Sequence, residues 1–103
     1  MKAIIDGKTY NTDTAEEISS FDNGLSSSDF NHLAEKIYKT KNGTYFLAGD
    51  GGARSKYGIN KGDYEIGGEG LEPVSDDEAL ETLERWKDVD AIEAHFAHMI
   101  EEA

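Results

Sequence analysis

Apolar positions in the C-terminal third of the chain recur at the spacing of an α-helix. A step of about 100° per residue over residues 76–87 places four apolar residues on one side: Ala79, Leu80, Leu83 and Trp86. Ser75 and Glu78 form the Ser-x-x-Glu pattern of a capping box at the start of this segment. The pattern predicts one helix from residue 76 to about residue 87 and a second helical segment that begins at Asp88 or Asp90.

Turn residues between runs of β-forming residues predict two β-hairpins. One turn lies at residues 6–8, and the other is Asn42-Gly43, the strongest short-range hairpin signal in the chain. If Asn42 and Gly43 are the two turn residues, Thr40 pairs with Tyr45. This register divides the second hairpin into two faces, one with Ile37, Phe46 and Ala48 and the other with Tyr38, Tyr45 and Leu47.

The segment TDTAEEISSF, residues 12–21, predicts a short helix. Thr14 and Glu17 match a capping box, and three apolar side chains share a helical face: Ala15, Ile18 and Phe21. The glycine-rich residues 56–70 predict an irregular loop, and a short strand follows at about residues 70–74.

These elements predict one α+β domain that spans residues 1–103. Its small antiparallel sheet consists of the N-terminal hairpin and the central Asn-Gly hairpin. The sheet packs against the short N-terminal helix and one or two C-terminal helices.

Composition indicates the cellular compartment in which the protein is expected to lie. The chain has no cysteine, so it forms no disulfide and no thiolate metal site, which fits a reducing compartment. No apolar run approaches the roughly 20 residues that span a bilayer, and the first residues lack a signal-peptide core. We therefore expect a soluble intracellular protein that does not interact with a membrane.

Charge is the most unusual property of the sequence. The net charge is −12, from 22 acidic and 10 basic residues. Residues 71–103 carry 11 acids and two bases, whereas residues 36–61 carry six bases against only Asp50. Because nucleic-acid phosphates would be repelled by such a protein, the balance disfavours direct nucleic-acid binding and favours a protein partner with a basic surface.

The sharpest charged feature is a row of four acidic residues on the first C-terminal helix: Asp77, Glu81, Glu84 and Asp88. They fall within about 60° of arc, opposite the apolar side of the helix. Two interpretations remain open. The row is either a solvated face that keeps the protein soluble, or a phosphate-like array that occupies a basic groove of a partner.

The stretch LAGDGGARSKYG, residues 47–58, contains three glycines in four positions before Arg54 and Lys56. It lacks the last glycine and the following helix of a dinucleotide-binding motif, and it is not a Walker loop. We interpret it as a bulge and turn in which glycine supplies positive φ angles. Arg54, Lys56 and Tyr45 are then candidates for the rim of a partner-binding surface.

No set of residues predicts catalysis or metal binding. His95-x-x-His98 supplies two possible ligands without a convincing third. Ser55 and Lys56 are adjacent in the sequence, so in an extended segment their side chains point in opposite directions. We expect a protein that is not an enzyme, with no catalytic residue, no cofactor and no bound metal.

Three segments resemble small acidic proteins of bacterial phages and other mobile elements. These are DGKTYNTDTAEEI (residues 6–18), IYKTKNGTYFLAGDGGARSKYG (residues 37–58) and PVSDDEALETLERW (residues 73–86). Some proteins of this size, acidity and setting are anti-CRISPR inhibitors. The resemblance brings no active-site motif and assigns no residue roles. It implies an inhibitor that works in a bacterial cytoplasm.

Three functions follow as hypotheses. The first is an anti-CRISPR-like inhibitor whose acidic, DNA-mimicking surface blocks a basic nucleic-acid-binding surface of a host defence complex, such as a subunit of a CRISPR effector. The second is a general protein-interaction or regulatory module of a mobile element. The third is direct nucleic-acid binding through six basic residues: Lys36, Lys39, Lys41, Arg54, Lys56 and Lys61.

Overall fold

The computed structural model describes residues Met1–Ala103 and shows an antiparallel sheet with two helices. In chain order the strands are β1 (Lys2–Ile5), β2 (Lys8–Asn11), β3 (Glu16–Asp22), β4 (Leu33–Lys39), β5 (Tyr45–Gly51), β6 (Ile59–Asn60), β7 (Glu65–Ile66) and β8 (Gly68–Val74). The helices are α1 (Asp76–Trp86) and α2 (Val89–Phe96), followed by a 3-10 turn at Ala97–Met99. Four strands form the main sheet in the order β3-β4-β5-β8, which confirms the predicted α+β class.

Each face of the main sheet carries its own hydrophobic cluster. α1 and α2 cover one face, where the buried residues are Ile37, Tyr45, Leu47, Ala79, Leu83, Ala91 and Phe96. The β1–β2 hairpin covers part of the other face, where Tyr10 packs on Tyr38, Phe46 and Ala48. The N-terminal hairpin was predicted correctly, but it forms a separate two-stranded sheet rather than part of the main one.

The Asn-Gly hairpin exists, but its predicted register is wrong by one residue. Gly43 donates its N–H to the carbonyl of Thr40 at 2.9 Å and has a φ of +85°. This is a turn followed by a left-handed glycine, so the loop between Thr40 and Thr44 has three residues, and Lys39 pairs with Tyr45. A slip of one residue moves side chains to the opposite face, and Tyr45 therefore lies with Ile37 rather than with Tyr38.

The short N-terminal helix was predicted wrongly, because residues 16–22 form the edge strand β3. The pairing of β3 with β4 shifts between Glu17 and Ser19, which marks a β-bulge at Ile18. A bulge adds one residue to the strand. Ile18 and Phe21 therefore both face the helices although they are three residues apart, and this spacing imitates helical periodicity.

The C-terminal helices agree with the prediction. Ser75 and Glu78 form a complete capping box at the start of α1. α1 ends where Lys87 adopts a left-handed conformation with a φ of +59°, and Asp88 is the N-cap of α2. Neither helix has the length and apolar character needed to cross a membrane.

Residues 56–70 are more regular than predicted. The strands β6 and β7 pair as a short hairpin in which Ile59 lies opposite Ile66. β8 begins at Gly68, earlier than the expected strand, and pairs with β5 along its whole length.

Candidate partner-binding surfaces

The exposed side of α1 carries three of the four acidic residues predicted to bind a partner. Asp77, Glu81 and Glu84 are all exposed, and none of them forms an ion pair or a side-chain hydrogen bond. The nearest basic residue along the helix, Arg85, instead points its guanidinium towards the hydroxyl of Thr82 at 3.5 Å. We call these three carboxylates the α1 acidic face.

Asp88, the fourth predicted member, has a structural role instead. Its carboxylate accepts a hydrogen bond from the Ser19 hydroxyl at 2.5 Å and another from the backbone N–H of Ala91 at 3.1 Å. These two bonds, first that from Ser19 and then that from Ala91, hold the pKa of Asp88 below its usual range. Because α1 ends before Asp88, this residue also leaves the helical spiral on which the predicted row depended.

Tyr45 was predicted to lie at the rim of a partner-binding surface. This prediction is wrong, because the Tyr45 side chain is in the core. It is only 4% exposed, and its ring lies 4.9 Å from that of Phe96 between centroids. The misplaced register of the hairpin caused this error, since it assigned Tyr45 to the wrong face of the sheet.

Lys56 is exposed, but its ammonium group binds two carboxylates of the same molecule. Its Nζ lies 3.0 Å from Glu35 and 3.6 Å from Glu72. Glu35 is only 6% exposed, and the same Oε2 atom accepts a hydrogen bond from the Tyr57 hydroxyl at 2.6 Å. Burial, followed by this hydrogen bond, raises the pKa of Tyr57 well above its usual range. Lys56 is therefore committed to stabilising a buried acid.

This cluster of Glu35, Tyr57 and Lys56 was not predicted from the sequence. One signal could have revealed it, because Glu35 lies two residues before Ile37 in a strand and so shares its buried face. A carboxylate at a core-facing position requires hydrogen-bond donors. Tyr57 and Lys56 supply them from the loop that follows β5.

The glycines of residues 47–58 serve close packing rather than positive φ angles, which corrects the prediction for this stretch. Gly49, Gly51 and Gly52 do not have positive φ values. A Cβ atom on Gly49 would lie 2.7 Å from both the Ala34 carbonyl oxygen and the Tyr57 hydroxyl. The glycines of β5 and β8 thus leave space for the loop to lie directly on the sheet.

Arg54 is the one rim candidate that is exposed and has no acidic partner within the molecule. Its backbone N–H donates to the carbonyl of Phe30 at 2.8 Å, and its guanidinium lies 6.0 Å from the centroid of the Phe30 ring. The Arg54 side chain forms no ion pair.

The basic residues of segment 36–61 are not collected on one surface. Lys36 and Lys39 point to opposite faces of the sheet because they are three residues apart in the regular strand β4. Lys36 pairs with Glu17 at 3.1 Å, and Lys56 is bound to Glu35. This arrangement gives no continuous basic stripe for a phosphate backbone to follow.

Ser55 and Lys56 do not form a catalytic pair. The Ser55 hydroxyl donates to the carbonyl of Gly52 at 2.8 Å and accepts from the N–H of Tyr57 at 3.1 Å, so it stabilises the turn. His95 lies 4.0 Å from Glu16, and the structure contains no group of three or more possible metal ligands.

The fold and its surfaces define a small α+β domain whose exposed carboxylates include an unpaired set on α1. No protein-family model matches this chain, and no curated protein or solved structure is significantly similar to it.

Proposed function

We propose that this protein is a non-enzymatic binding protein that blocks a basic nucleic-acid-binding surface of a partner protein, as anti-CRISPR inhibitors do. The observation that carries the proposal is the α1 acidic face, formed by Asp77, Glu81 and Glu84. These side chains are exposed and have no basic partner within the molecule.

The spacing of the three carboxylates suits a surface that normally binds phosphates. A rise of about 1.5 Å per residue separates Asp77 from Glu81 by about 6 Å along the helix axis, and Glu81 from Glu84 by about 4.5 Å. One strand of DNA carries a phosphate about every 3.4 Å along its axis. The α1 acidic face thus has about two-thirds of the linear charge density of a single nucleic-acid strand.

The same three residues carry an energetic cost within the isolated protein. Like charges three or four residues apart destabilise a helix by a few tenths of a kcal/mol for each pair, about 0.2–0.5 kcal/mol. No ion pair within the molecule relieves this repulsion. Binding of a basic partner would relieve the repulsion between the three carboxylates. This relief favours the interpretation that the α1 acidic face binds a partner over the interpretation that it serves solubility alone.

The dispersed basic residues give no support to direct nucleic-acid binding. A gel-shift assay with the protein alone should therefore show no complex with DNA or RNA. If direct binding occurred, the complex would weaken steeply with salt as counterions compete for the phosphates.

A pull-down from a bacterial lysate followed by mass spectrometry tests the proposed function. The wild-type protein should recover a basic nucleic-acid-handling protein, and the recovered protein should lose its nucleic-acid binding when the wild-type chain is added. The double variant Glu81→Lys/Glu84→Lys should lose this capture, because it replaces two attractive charges with two repulsive ones.

Glu101→Lys/Glu102→Lys is the matched control, since it changes the net charge equally at exposed residues beyond the last helix. This variant should still capture the partner. Equal loss of capture by both variants would show that only bulk charge matters. If the wild-type chain recovers no basic nucleic-acid-handling protein, the proposal is wrong.

A further inference from the structure

Exposed apolar side chains are concentrated at the β6–β7 hairpin and the neighbouring loop before β4. Nine large hydrophobic residues of the chain are exposed, and four of them lie here: Phe30, Ile59, Tyr64 and Ile66. The residues Phe30 and Tyr64 are each 62% exposed. A cluster of exposed apolar groups on a protein of this size is typical of an interaction surface.

A groove of about 330 Å³ lies between the two rings. Its other lining residues are Ala53, Arg54, Asn60, Gly62, Asp63 and Glu65. A second groove of similar size shares four of these residues and extends to Ile59. The two grooves therefore form one continuous surface, which we call the Phe30–Tyr64 surface.

The backbone beneath Phe30 is held in place although the ring is exposed. The N–H of Arg54 donates to the Phe30 carbonyl at 2.8 Å, and the N–H of Gly52 donates to the His32 carbonyl at 2.9 Å. Gly52 packs so closely that a Cβ atom there would collide with the carbonyl oxygens of Asp29 and Phe30. Because this backbone is already ordered, binding does not have to order the loop, which favours affinity.

Tyr64 is fixed by the turn of its hairpin. The N–H of Lys61 donates to the Tyr64 carbonyl at 2.8 Å, and the Asn60 side chain accepts from the N–H of Gly62 at 2.7 Å. Gly62 has a φ of +92°, which the tight turn requires. Both walls of the groove thus stand on ordered turns.

We propose that the Phe30–Tyr64 surface binds a segment of a partner protein in which an apolar side chain is flanked by basic residues. The apolar side chain enters the groove between the two rings, and its basic neighbours face Asp63 and Glu65. The residues that contribute most to binding at protein interfaces are enriched in tyrosine, tryptophan and arginine, and this surface presents Tyr64 and Arg54 beside the ring of Phe30.

Charge decides which occupant this surface accepts. The groove carries the two acids Asp63 and Glu65 against the single base Arg54. A second copy of the chain would bring its own net charge of −12, and repulsion between two such molecules opposes self-association. A basic partner segment is attracted by both the groove and the molecule as a whole.

This inference adds a second contact to the proposed function and rests on it only in that the partner is a basic protein. The two surfaces lie at opposite ends of the main sheet. Residues 52–66 follow the Gly51 end of β5, whereas α1 begins just after Val74, which pairs with Tyr45 at the other end of β5. Each surface can therefore be altered without touching the other.

Titration of the 15N-labelled protein with a capped pentapeptide, Gly-Lys-Trp-Lys-Gly, tests the inference by NMR. Saturable shifts should appear at amides of residues 30, 53–54 and 60–65 at about 1 mM peptide, the affinity expected for so small a fragment. Gly-Glu-Trp-Glu-Gly lacks the basic residues and Gly-Lys-Ala-Lys-Gly lacks the large apolar one, so neither should saturate this region.

Variants locate the contacts. Phe30→Ala/Tyr64→Ala should abolish the saturable shifts, and Asp63→Lys/Glu65→Lys should weaken binding about fivefold to tenfold by replacing two exposed attractive charges with two repulsive ones. Ile4→Ala/Val89→Ala is the matched control, because it removes two exposed apolar side chains elsewhere and should leave the titration unchanged.

The outcomes separate this inference from the proposed function. Shifts confined to α1, unchanged titration of Phe30→Ala/Tyr64→Ala, or no saturable shift would each overturn it. Dimerisation through these rings, seen by analytical ultracentrifugation and lost in Phe30→Ala/Tyr64→Ala, would replace the partner with a second copy. Normal peptide binding by Glu81→Lys/Glu84→Lys would support the Phe30–Tyr64 surface even if the pull-down contradicted the role of α1.

Discussion

The two ends of the helix-facing side of the main sheet are packed in different ways. At the end near Tyr45, large side chains such as Ile37 and Leu47 meet the helices and fill the space with apolar atoms. At the end near Gly51 the strands carry glycines, and a loop with Tyr57 lies directly on their backbone. The same face of the sheet thus carries a hydrophobic core at one end and, at the other, a glycine-rich backbone surface on which the loop packs.

At each end of the sheet, a hydrogen bond between a hydroxyl group and a carboxylate fixes the segment that covers the sheet there. The Ser19 hydroxyl donates to Asp88 at 2.5 Å where α2 begins, and the Tyr57 hydroxyl donates to Glu35 at 2.6 Å beneath the loop. The difference lies in their surroundings. Glu35 is a buried strand residue that requires its donors, whereas Asp88 is a partly exposed N-cap to which Ser19 adds one bond.

Truncation of a core side chain at the end of the sheet covered by the helices should have the largest effect on stability. Phe96 is almost completely buried and packs on Tyr45, so Phe96→Ala should lower the free energy of unfolding by about 3–5 kcal/mol. Urea denaturation measures this change. Val89→Ala on the same helix is the control, because Val89 is 58% exposed and its truncation should change stability by less than about 0.5 kcal/mol. Similar values for the two variants would contradict the described core.

The Gly51 end of the sheet should be destabilised by the addition of a single methyl group, whereas the end covered by the helices is sensitive to the removal of atoms. Gly49→Ala should lower the free energy of unfolding by about 1–3 kcal/mol, because the new Cβ meets the Ala34 backbone, which cannot move aside. The same change at Gly70 should cost less, since its Cβ would meet only the Tyr57 ring at 3.2 Å. Urea denaturation measures the free energy of unfolding of the two variants. An equal or greater loss of stability for Gly70→Ala would contradict the rigid contact between residue 49 and the Ala34 backbone.

This comparison also explains what the sequence could and could not predict. The capping box of Ser75 and Glu78 and the Asn-Gly turn are local patterns, so α1 and the presence of the central hairpin, though not its register, were predicted correctly. The strand β3 was mistaken for a helix because a bulge at Ile18 gives a strand the apolar spacing of a helix.

Contacts between distant parts of the chain could not be predicted from the sequence. Tyr45 lies in the core because of a one-residue shift in register, and Lys56 binds Glu35, which is 21 positions earlier in the sequence. Asp77, Glu81 and Glu84 are exposed as expected, because the amphipathic pattern of a capped helix alone determines which side faces solvent.

The smallest expected effect is at Asp88, and pH distinguishes it from ordinary packing. Its lowered pKa means that the contribution of Asp88 to stability is complete above the pKa of an unfolded aspartate, about 3.9, and is lost as the pH falls through the folded pKa. Asp88→Ala removes the N-cap and should cost about 1 kcal/mol near pH 7. Thermal unfolding of the two proteins between neutral and acidic pH should show this difference shrinking at low pH. A difference that stays constant with pH would show that the Asp88 charge makes no contribution and that only the lost side-chain contacts matter.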